Sequence, residues 1–190
     1  SLLSLYMGLE LQSLCLYVLA SFNRNSVKSS EAGLKYFILG ALSSGMLLFG
    51  ISLIYGFTGS VDYGVIQASL LVLEQIPFGI TFGLVFILAG LAFKISAVPF
   101  HMWTPDVYQG APTPITAFLS VGSKAAGFIV LWRFLTPFLA AEAIAPKILL
   151  ILAFVTGATL LVGNLAAIGQ SNFKRLLAYS SIAHAGFILL

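Results

Sequence analysis

Long apolar segments separated by short polar connectors dominate the chain. An α-helix needs about 20 mostly apolar residues to cross the hydrocarbon core of a membrane. Six segments have this length, at Leu2–Phe22, Leu34–Tyr55, Gly79–Trp103, Ile115–Leu135, Ile148–Ile168 and Phe173–Leu190. The chain is therefore predicted to be all-α, a polytopic bundle of about six transmembrane helices. Because both ends lie inside apolar helices, we expect an internal piece of a longer protein.

The connectors between the spans are polar or contain proline and glycine, as in TPDVYQGAPTP after the third span. The connector after the second span contains Val65–Gln75, which is too short to cross a membrane. It is predicted as a surface or interfacial helix, with a loop packed on the bundle as the alternative. Taken together, the connectors after the first, third and fifth spans are enriched in lysine and arginine, from Arg24, Lys28, Lys174 and Arg175, which assigns that side to the cytoplasm or matrix.

Composition agrees with a membrane protein and excludes other classes. Of the 190 residues, 59% are hydrophobic and 8% are charged, whereas soluble domains have about 25% charged residues. The basic residues are scattered singly, so no nucleic-acid-binding surface is predicted. The single cysteine, Cys15, has no partner for a disulfide or a metal site at a suitable spacing.

Apart from the lysines and arginines at the helix ends, five acidic, basic or histidine residues lie inside the predicted spans: Glu10, Lys94, His101, Lys124 and His184. A lysine at the centre of a membrane helix costs roughly 2.5–3.5 kcal/mol on insertion scales, and such residues usually have a function. At 1.5 Å of rise per residue, Glu10, Lys94 and Lys124 lie roughly 13–18 Å from the inner ends of their helices. This is near the middle of a core about 30 Å thick. If the helices pack together, these three residues form a row in the membrane plane.

Small residues and a proline surround Lys94 in the third span. Gly79, Gly83 and Gly90 share its helical face, and the first two form a GxxxG pair that lets another helix approach closely. Pro99 removes a backbone donor, which predicts a kink or a non-helical break between Lys94 and Pro99. Broken membrane helices occur where protein covers the backbone or where the backbone lines a cavity.

Helical periodicity places Glu10 and Lys94 on the polar or glycine-rich faces of their helices. We therefore expect the two side chains to face each other, in contact directly or through one water. Lys124 lies on a face of small and polar residues and has no acidic residue on its own helix. Its nearest charge partner is expected to be Lys94. The alternative for each lysine is a purely structural ion pair with Glu10. His101 and His184 can equally be hydrogen-bonded packing residues.

Buried lysine, glutamate and histidine side chains suit proton transfer. Desolvation disfavours an ammonium group and a nearby carboxylate favours it, so moving the partner loads or releases a proton. Membrane pumps relay protons along such residues and water. No catalytic triad, phosphate-binding loop, metal cluster or redox-cofactor site is recognisable, so the energy for a pump must come from elsewhere.

Four stretches carry a family resemblance: GLELQSLCLYVLA, SSEAGLKYFILGALSSGMLLFG, FKISAVPFHMWTPDVYQGAPTPITAFLSVGSKAAGF and NFKRLLAYSSIAHAGF. On these the chain resembles the antiporter-like membrane subunits of respiratory complex I over nearly its whole length. The resemblance implies that Glu10 is the glutamate paired with the channel lysine and that Lys94 is this lysine, on a broken helix. It also implies that Lys124 is the central connecting lysine and that His184 lies on a helix of a second repeat.

The resemblance further implies a setting. Residues 1–135 would form most of the first of two inverted repeats, and residues 146–190 would begin the second. The chain would translocate protons within an NADH-quinone oxidoreductase and hold no cofactor, while partner subunits carry NADH, FMN, iron–sulfur clusters and quinone. Its partners would be other membrane-arm subunits, the lipid bilayer, protons and internal water. The location would be the bacterial inner membrane or, alternatively, the mitochondrial inner membrane.

Two other functions stay open at this point. One is a subunit of an Mrp-type cation/proton antiporter, with the same fold and no redox partner. The other is a structural module of a membrane arm, in which the buried charges are fixed ion pairs.

Overall fold

The computed structural model describes all 190 residues, and every regular element is helical, which confirms the predicted all-α class. The helices are α1 (Leu2–Ala20), α2 (Val27–Thr58), α3 (Tyr63–Val72), α4 (Phe78–Ile95), α5 (Trp103–Gly110), α6 (Thr113–Phe118), α7 (Lys124–Leu139), α8 (Ala145–Ile168) and α9 (Phe173–Leu189). A π-helical segment at Leu119–Ser123 joins α6 to α7, so that these three elements run as one helix of 27 residues.

Five of the predicted spans form helices that are long and apolar enough to cross a membrane: α1, α2, α4, the continuous α6–α7 helix and α8. Large apolar side chains such as Leu11, Trp132 and Phe154 lie on their outer surfaces. This arrangement suits helices that are surrounded by lipid tails. The sixth predicted span forms α9, whose 17 residues extend about 26 Å at 1.5 Å per residue.

Two short helices occupy connectors. The helix predicted within the second connector is α3, which buries Ile66 and Leu70 against the bundle, so the alternative of an irregular loop is wrong. The connector after the third span was not predicted to be helical, yet its first part forms α5. It folds as a helix because Trp103, Val107 and Tyr108 are all buried against the rest of the bundle.

Helix α4 ends at Ile95, inside the predicted third span, and the chain is not helical again until Trp103. The predicted break beside Lys94 is therefore confirmed. Ser96 adopts a left-handed conformation with φ of 62°, and the N–H groups of residues 96 and 97 donate back to carbonyls in the last turn of α4. This is the Schellman arrangement that terminates helices. The helix thus stops at Ser96, ahead of the proline that predicted the break.

Side chains of α5 hold the two sides of the break together. The Trp103 indole Nε1 donates to the Phe93 carbonyl at 3.0 Å. The Thr104 hydroxyl donates to the Ser96 hydroxyl at 2.8 Å, and both of these residues are fully buried. The backbone groups released by the break are therefore paired inside the protein, as the interior of a membrane protein requires.

A third bond to the broken segment comes from α8. The Val98 N–H donates to the Thr159 hydroxyl at 2.9 Å. That hydroxyl in turn donates to the Val155 carbonyl at 2.6 Å, so its lone pair is directed at the break. The broken segment is thus positioned by a helix that lies 61 residues away in sequence.

Helices α2 and α4 pack closely against each other at glycine residues. A Cβ atom on Gly50 of α2 would lie 2.6 Å from the Gly83 carbonyl oxygen and 2.9 Å from the Ile87 nitrogen. About two turns away along both helices, the Ser43 hydroxyl donates to the Gly90 carbonyl at 3.2 Å. The glycine face predicted for the third span therefore packs against α2.

This contact generates the first prediction. Gly50→Ala should lower the free energy of unfolding by about 1–3 kcal/mol, because the added methyl group meets backbone atoms that cannot move independently. Gly45→Ala, in the same helix, is the matched control, since nothing lies within 4 Å of its Cβ position. It should leave stability unchanged or raise it by up to about 1 kcal/mol through helix propensity. Thermal unfolding in detergent measures both, and equal effects would contradict the packing argument.

The second prediction concerns the bond from α8 to the break. Thr159→Val keeps the side-chain shape but leaves the Val98 N–H buried without an acceptor, which should cost about 1–3 kcal/mol of stability. Thr159→Ser keeps the hydroxyl and should lose clearly less. Hydrogen exchange at Val98 and thermal unfolding report the two effects. Retention of full protection at Val98 in Thr159→Val would show that the hydroxyl is not its acceptor.

Candidate functional site

Lys94 is held at the end of α4 by two groups of α1. Its Nζ donates to the Ser13 hydroxyl at 2.5 Å and lies 3.7 Å from Glu10 Oε1. The side chains of Lys94 and Glu10 are 9% and 21% exposed, respectively. The predicted direct approach of Glu10 and Lys94 is thus present in the structure.

The sequence of α1 explains this arrangement. Glu10 and Ser13 are three residues apart, so they lie side by side on one helical face. The Ser13 hydroxyl donates its own proton to the Leu9 carbonyl at 2.6 Å, which leaves its lone pair for Lys94. Glu10 Oε1 is buried and accepts no hydrogen bond. The carboxylate therefore acts on Lys94 through charge at short range, while Ser13 provides the directional contact.

Lys124 has different partners, all outside its own helix. Its side chain lies in the core, with the residue only 5% exposed, and its Nζ donates to the Ser181 hydroxyl at 2.7 Å and to the Ser181 carbonyl at 3.0 Å. The Tyr108 ring lies 5.8 Å from the same nitrogen. No carboxylate forms an ion pair with it. Its nearest polar partner is thus Ser181 of α9.

The two lysines are linked through their helices. A Cβ atom on Gly127, one turn after Lys124, would lie 3.8 Å from both the Lys94 carbonyl carbon and the Lys94 Cβ. Helix α7 therefore packs directly against the end of α4. Lys124 bonds to the neutral oxygens of Ser181 and pairs with no acid, so the expectation that Lys94 is its nearest charged neighbour stays a prediction.

The two histidines lie in different surroundings. His101 is in the turn between α4 and α5, and its buried Nδ1 has no hydrogen-bond partner. His184 is on α9, where its Nδ1 lies 2.8 Å from the Ser180 carbonyl. No hydrogen bond joins either histidine to Lys94 or Lys124. The structure places His184, but not His101, on the helix that contacts a buried lysine.

A cavity of about 530 Å³ lies between α5, α6 and α9. Its wall contains an aromatic hydroxyl, several aliphatic hydroxyls, a lysine and a histidine, from Tyr108, Thr113, Thr116, Ser120, Lys174, Ser180, Ser181 and His184. A cavity with this many polar groups is suited to hold water. It adjoins Lys124 through Ser181.

An ion cluster that the sequence did not reveal ties three helices together. Asp106 of α5 accepts from Lys35 of α2 at 2.8 Å and from Arg175 of α9 at 2.5 Å. Glu31 also pairs with Lys35, at 2.7 Å. Partial burial raises the pKa of the Asp106 carboxyl, but the bonds from the two cations outweigh it and hold this pKa below its usual value. Asp106 is therefore ionised at neutral pH.

Of the five predicted site residues, the structure brings Glu10 and Lys94 together, and it places Lys124 and His184 near one cavity. Sequence reasoning missed Ser13 and Ser181 as ligands of the two lysines, and also missed the Asp106 cluster. The sequence did offer a reason to consider Ser181: it lies three residues before the predicted site residue His184, and so on the same face of α9. The roles of all five predicted residues in proton transfer stay predictions.

Comparisons with known proteins agree with the resemblance drawn from the motifs. The family model described as "NADH:quinone oxidoreductase/Mrp antiporter, TM" matches residues 1–190. The subunit N of NADH-quinone oxidoreductase from Parvibaculum lavamentivorans is 59% identical over 189 residues, which cover 100% of this chain and 38% of the relative. Subunit N 1 from Rhizobium meliloti is also 59% identical and is covered to 39%. The chain thus spans about two fifths of these relatives.

Solved structures share the fold. Respiratory complex I from Thermus thermophilus contains a chain that is 43% identical with a TM-score of 0.81, matched over 99% of this chain and 39% of that one. The Mrp complex from Dietzia sp. DQ12-45-1b contains one that is 27% identical with a TM-score of 0.85, matched over 100% of this chain and 35% of that one. With the family model matched from end to end, the chain belongs to the NADH:quinone oxidoreductase/Mrp antiporter family of membrane proteins.

Proposed function

We propose that this chain is part of a proton-translocating membrane subunit of an NADH-quinone oxidoreductase. The observation that carries the proposal is the contact of Lys94, at the end of a broken helix, with Glu10 and Ser13. A proton-binding amine is placed there next to a carboxylate, in an apolar bundle and beside a break in a helix. These are the features that a group needs to bind and release a proton in response to a conformational change.

The distance between Lys94 and Glu10 suits an interaction that changes in strength better than a permanent structural ion pair. Glu10 lies 3.7 Å from the ammonium nitrogen, which is longer than a charge-assisted hydrogen bond of about 2.7–2.9 Å. A small displacement of α1 or of the broken segment therefore changes the attraction without breaking a strong bond. When Glu10 withdraws, desolvation dominates and Lys94 releases its proton.

Lys124 provides a second proton-binding position. It contacts no carboxylate, so its ammonium form is supported only by the hydroxyl and carbonyl of Ser181 and by the Tyr108 ring. Its neighbours let the amine exist in either protonation state. We infer that a proton passes between Lys94 and Lys124, whose helices pack together at Gly127, that His184 serves the route beyond Lys124, and that His101 is a further carrier.

Names of the relatives support the assignment to the redox-driven enzyme. The relatives at 59% identity are named as subunit N of NADH-quinone oxidoreductase. In that setting NADH, FMN, iron–sulfur clusters and quinone belong to partner subunits, and other membrane-arm subunits adjoin this one. The bacterial inner membrane is the corresponding location. Residues 1–135 and 146–190 would then belong to the first and second of two inverted repeats.

The second candidate is a subunit of an Mrp-type cation/proton antiporter, since a chain of the Mrp complex has a TM-score of 0.85. Its identity is 27%, against 59% for the subunits N. Affinity purification of the full-length protein from its native membrane separates the two. Co-purification of NADH:quinone reductase activity is expected, and isolation without it, together with Na⁺/H⁺ exchange in vesicles, would favour the antiporter.

A purely structural module fits the surroundings of Lys124 poorly. A structural charge is expected to be paired with an opposite charge, because an unpaired buried ion is strongly destabilising. Lys124 is buried without an acid. A leucine or methionine at this position would fill the same space without the cost of desolvating a charge, so the presence of an amine favours a chemical role.

The third prediction tests that role. In the full-length protein within its complex, Lys124→Ala should lower proton pumping per assembled complex by about tenfold or more, as expected when a positioned proton carrier is removed. The amount of assembled complex should fall much less. Lys147→Ala is the matched control, because Lys147 is exposed at the first turn of α8, and it should pump normally.

The measurement uses reconstituted complex, with proton uptake and quinone reduction followed alongside the amount of assembled protein. A structural role predicts the opposite pattern, namely a loss of assembled protein with normal pumping in what remains. Normal pumping per assembled complex in Lys124→Ala would remove Lys124 from the relay.

A further inference from the structure

The hydroxyl of Ser181 is used differently from other hydroxyls in these helices. Serine and threonine in helices usually donate to a carbonyl about one turn earlier. Several residues of this chain do so at 2.6–2.9 Å, namely Ser13, Ser52, Ser69, Ser120 and Thr159. Ser181 makes no such bond, and its oxygen accepts from Lys124 at 2.7 Å. Its proton is therefore free to be donated in another direction.

That direction is the cavity of about 530 Å³, whose wall includes Ser181, Tyr108 and His184. The Tyr108 hydroxyl, on the wall of the same cavity, is fully buried and has no hydrogen-bond partner in the protein. Two hydroxyl groups with unused hydrogen-bonding capacity thus lie together beside Lys124. Buried polar groups of this kind normally bind water when space is available.

His184 lies on the same face of α9, three residues after Ser181. Its Nδ1 lies 2.8 Å from the Ser180 carbonyl oxygen. A carbonyl only accepts hydrogen bonds, so Nδ1 carries the proton in the neutral ring. Nε2 is then the free lone pair, and it is the nitrogen that can take up a further proton from the cavity.

We propose that Ser181 positions Lys124 and passes protons between its amine and the cavity that it shares with His184. This inference rests on the proposed function and adds the residue through which Lys124 exchanges its proton. In the transfer, one Nζ–H bond of the ammonium breaks and an O–H bond forms on Ser181. The original hydroxyl proton moves at the same time to a water of the cavity and from there to His184 Nε2. Lys124 is left neutral, Ser181 is unchanged, and the imidazole gains the positive charge.

A hydroxyl is required for this step because it is both donor and acceptor. When Lys124 is charged, the Ser181 oxygen accepts from it. When Lys124 is neutral, the same hydroxyl can rotate and donate to the amine lone pair. The Ser181 carbonyl, at 3.0 Å from Nζ, only accepts and so cannot pass a proton. It fixes the position of the lysine in both states, while the hydroxyl provides the exchange.

The test compares Ser181→Ala and Ser181→Thr in the full-length protein within its reconstituted complex. Ser181→Ala should lower proton pumping per assembled complex by about tenfold and raise the solvent deuterium isotope effect on pumping, because proton transfer becomes limiting. Ser181→Thr keeps the hydroxyl and should restore most of the rate. Ser52→Ala is the matched control, because the Ser52 hydroxyl bonds only to Phe49 of its own helix on an exposed surface.

The outcomes separate this inference from the proposed function. If Lys124→Ala abolishes pumping but Ser181→Ala pumps at the normal rate with an unchanged isotope effect, the Ser181 role is wrong and the proposed function stands. If Lys124→Ala itself pumps normally, the proposed function fails first. A loss in Ser181→Ala that threonine does not restore indicates a packing defect and also overturns the proposal. Should Ser181→Ala assemble poorly, Ser181→Cys keeps the volume with a weaker hydrogen-bonding group, and its rate should lie between those of alanine and threonine.

Discussion

An ammonium group inside an apolar helix bundle needs polar partners, and this requirement organises the structure around Lys94. Helix α1 provides Glu10 and Ser13 on one face. The end of α4 next to Lys94 allows the lysine to reach them, but it also releases backbone groups that have no water to bind. Side chains from α5 and α8 pair with those groups. A single buried charge thus determines how four helices meet.

The two buried lysines differ in the chemistry of their partners. A carboxylate near Lys94 favours the charged amine whenever the two are close. The hydroxyl and carbonyl near Lys124 are neutral, and the hydroxyl can bond to either form of the amine. The first lysine therefore responds to the movement of a charge, whereas the second responds to the availability of a proton acceptor. Adjacent positions with these two kinds of control are suited to sequential transfer.

Features that depend on local sequence could be predicted, and long-range contacts could not. Hydropathy located the spans, and helical periodicity placed Glu10 opposite Lys94, because both signals operate within a few turns. The break was predicted from Pro99, although the structure ends the helix earlier, at Ser96. Ser181 and Thr159 act on residues 57 and 61 positions away. The place of Ser181 beside His184 on α9 marked it as a polar residue of interest, but the sequence does not show which distant residue it contacts. For Lys124, reasoning from charge considered Lys94 and not the neutral Ser181 oxygens, because the packing of α9 against Lys124 has no signature in the sequence.

The position of α5 links the two lysines. At its start, Trp103 and Thr104 bond to residues beside the break and so fix α5 relative to Lys94. In its last turn, Tyr108 lies under Lys124. Between them, Asp106 binds Arg175 of α9, the helix that also carries the hydroxyl partner of Lys124. The side chains of Asp106 and Arg175 are about one third exposed, so this pair adds little stability by itself, but it joins α5 to α9. A shift of this short helix would therefore change the surroundings of both amines at once, and it is the element through which movement at one lysine can reach the other.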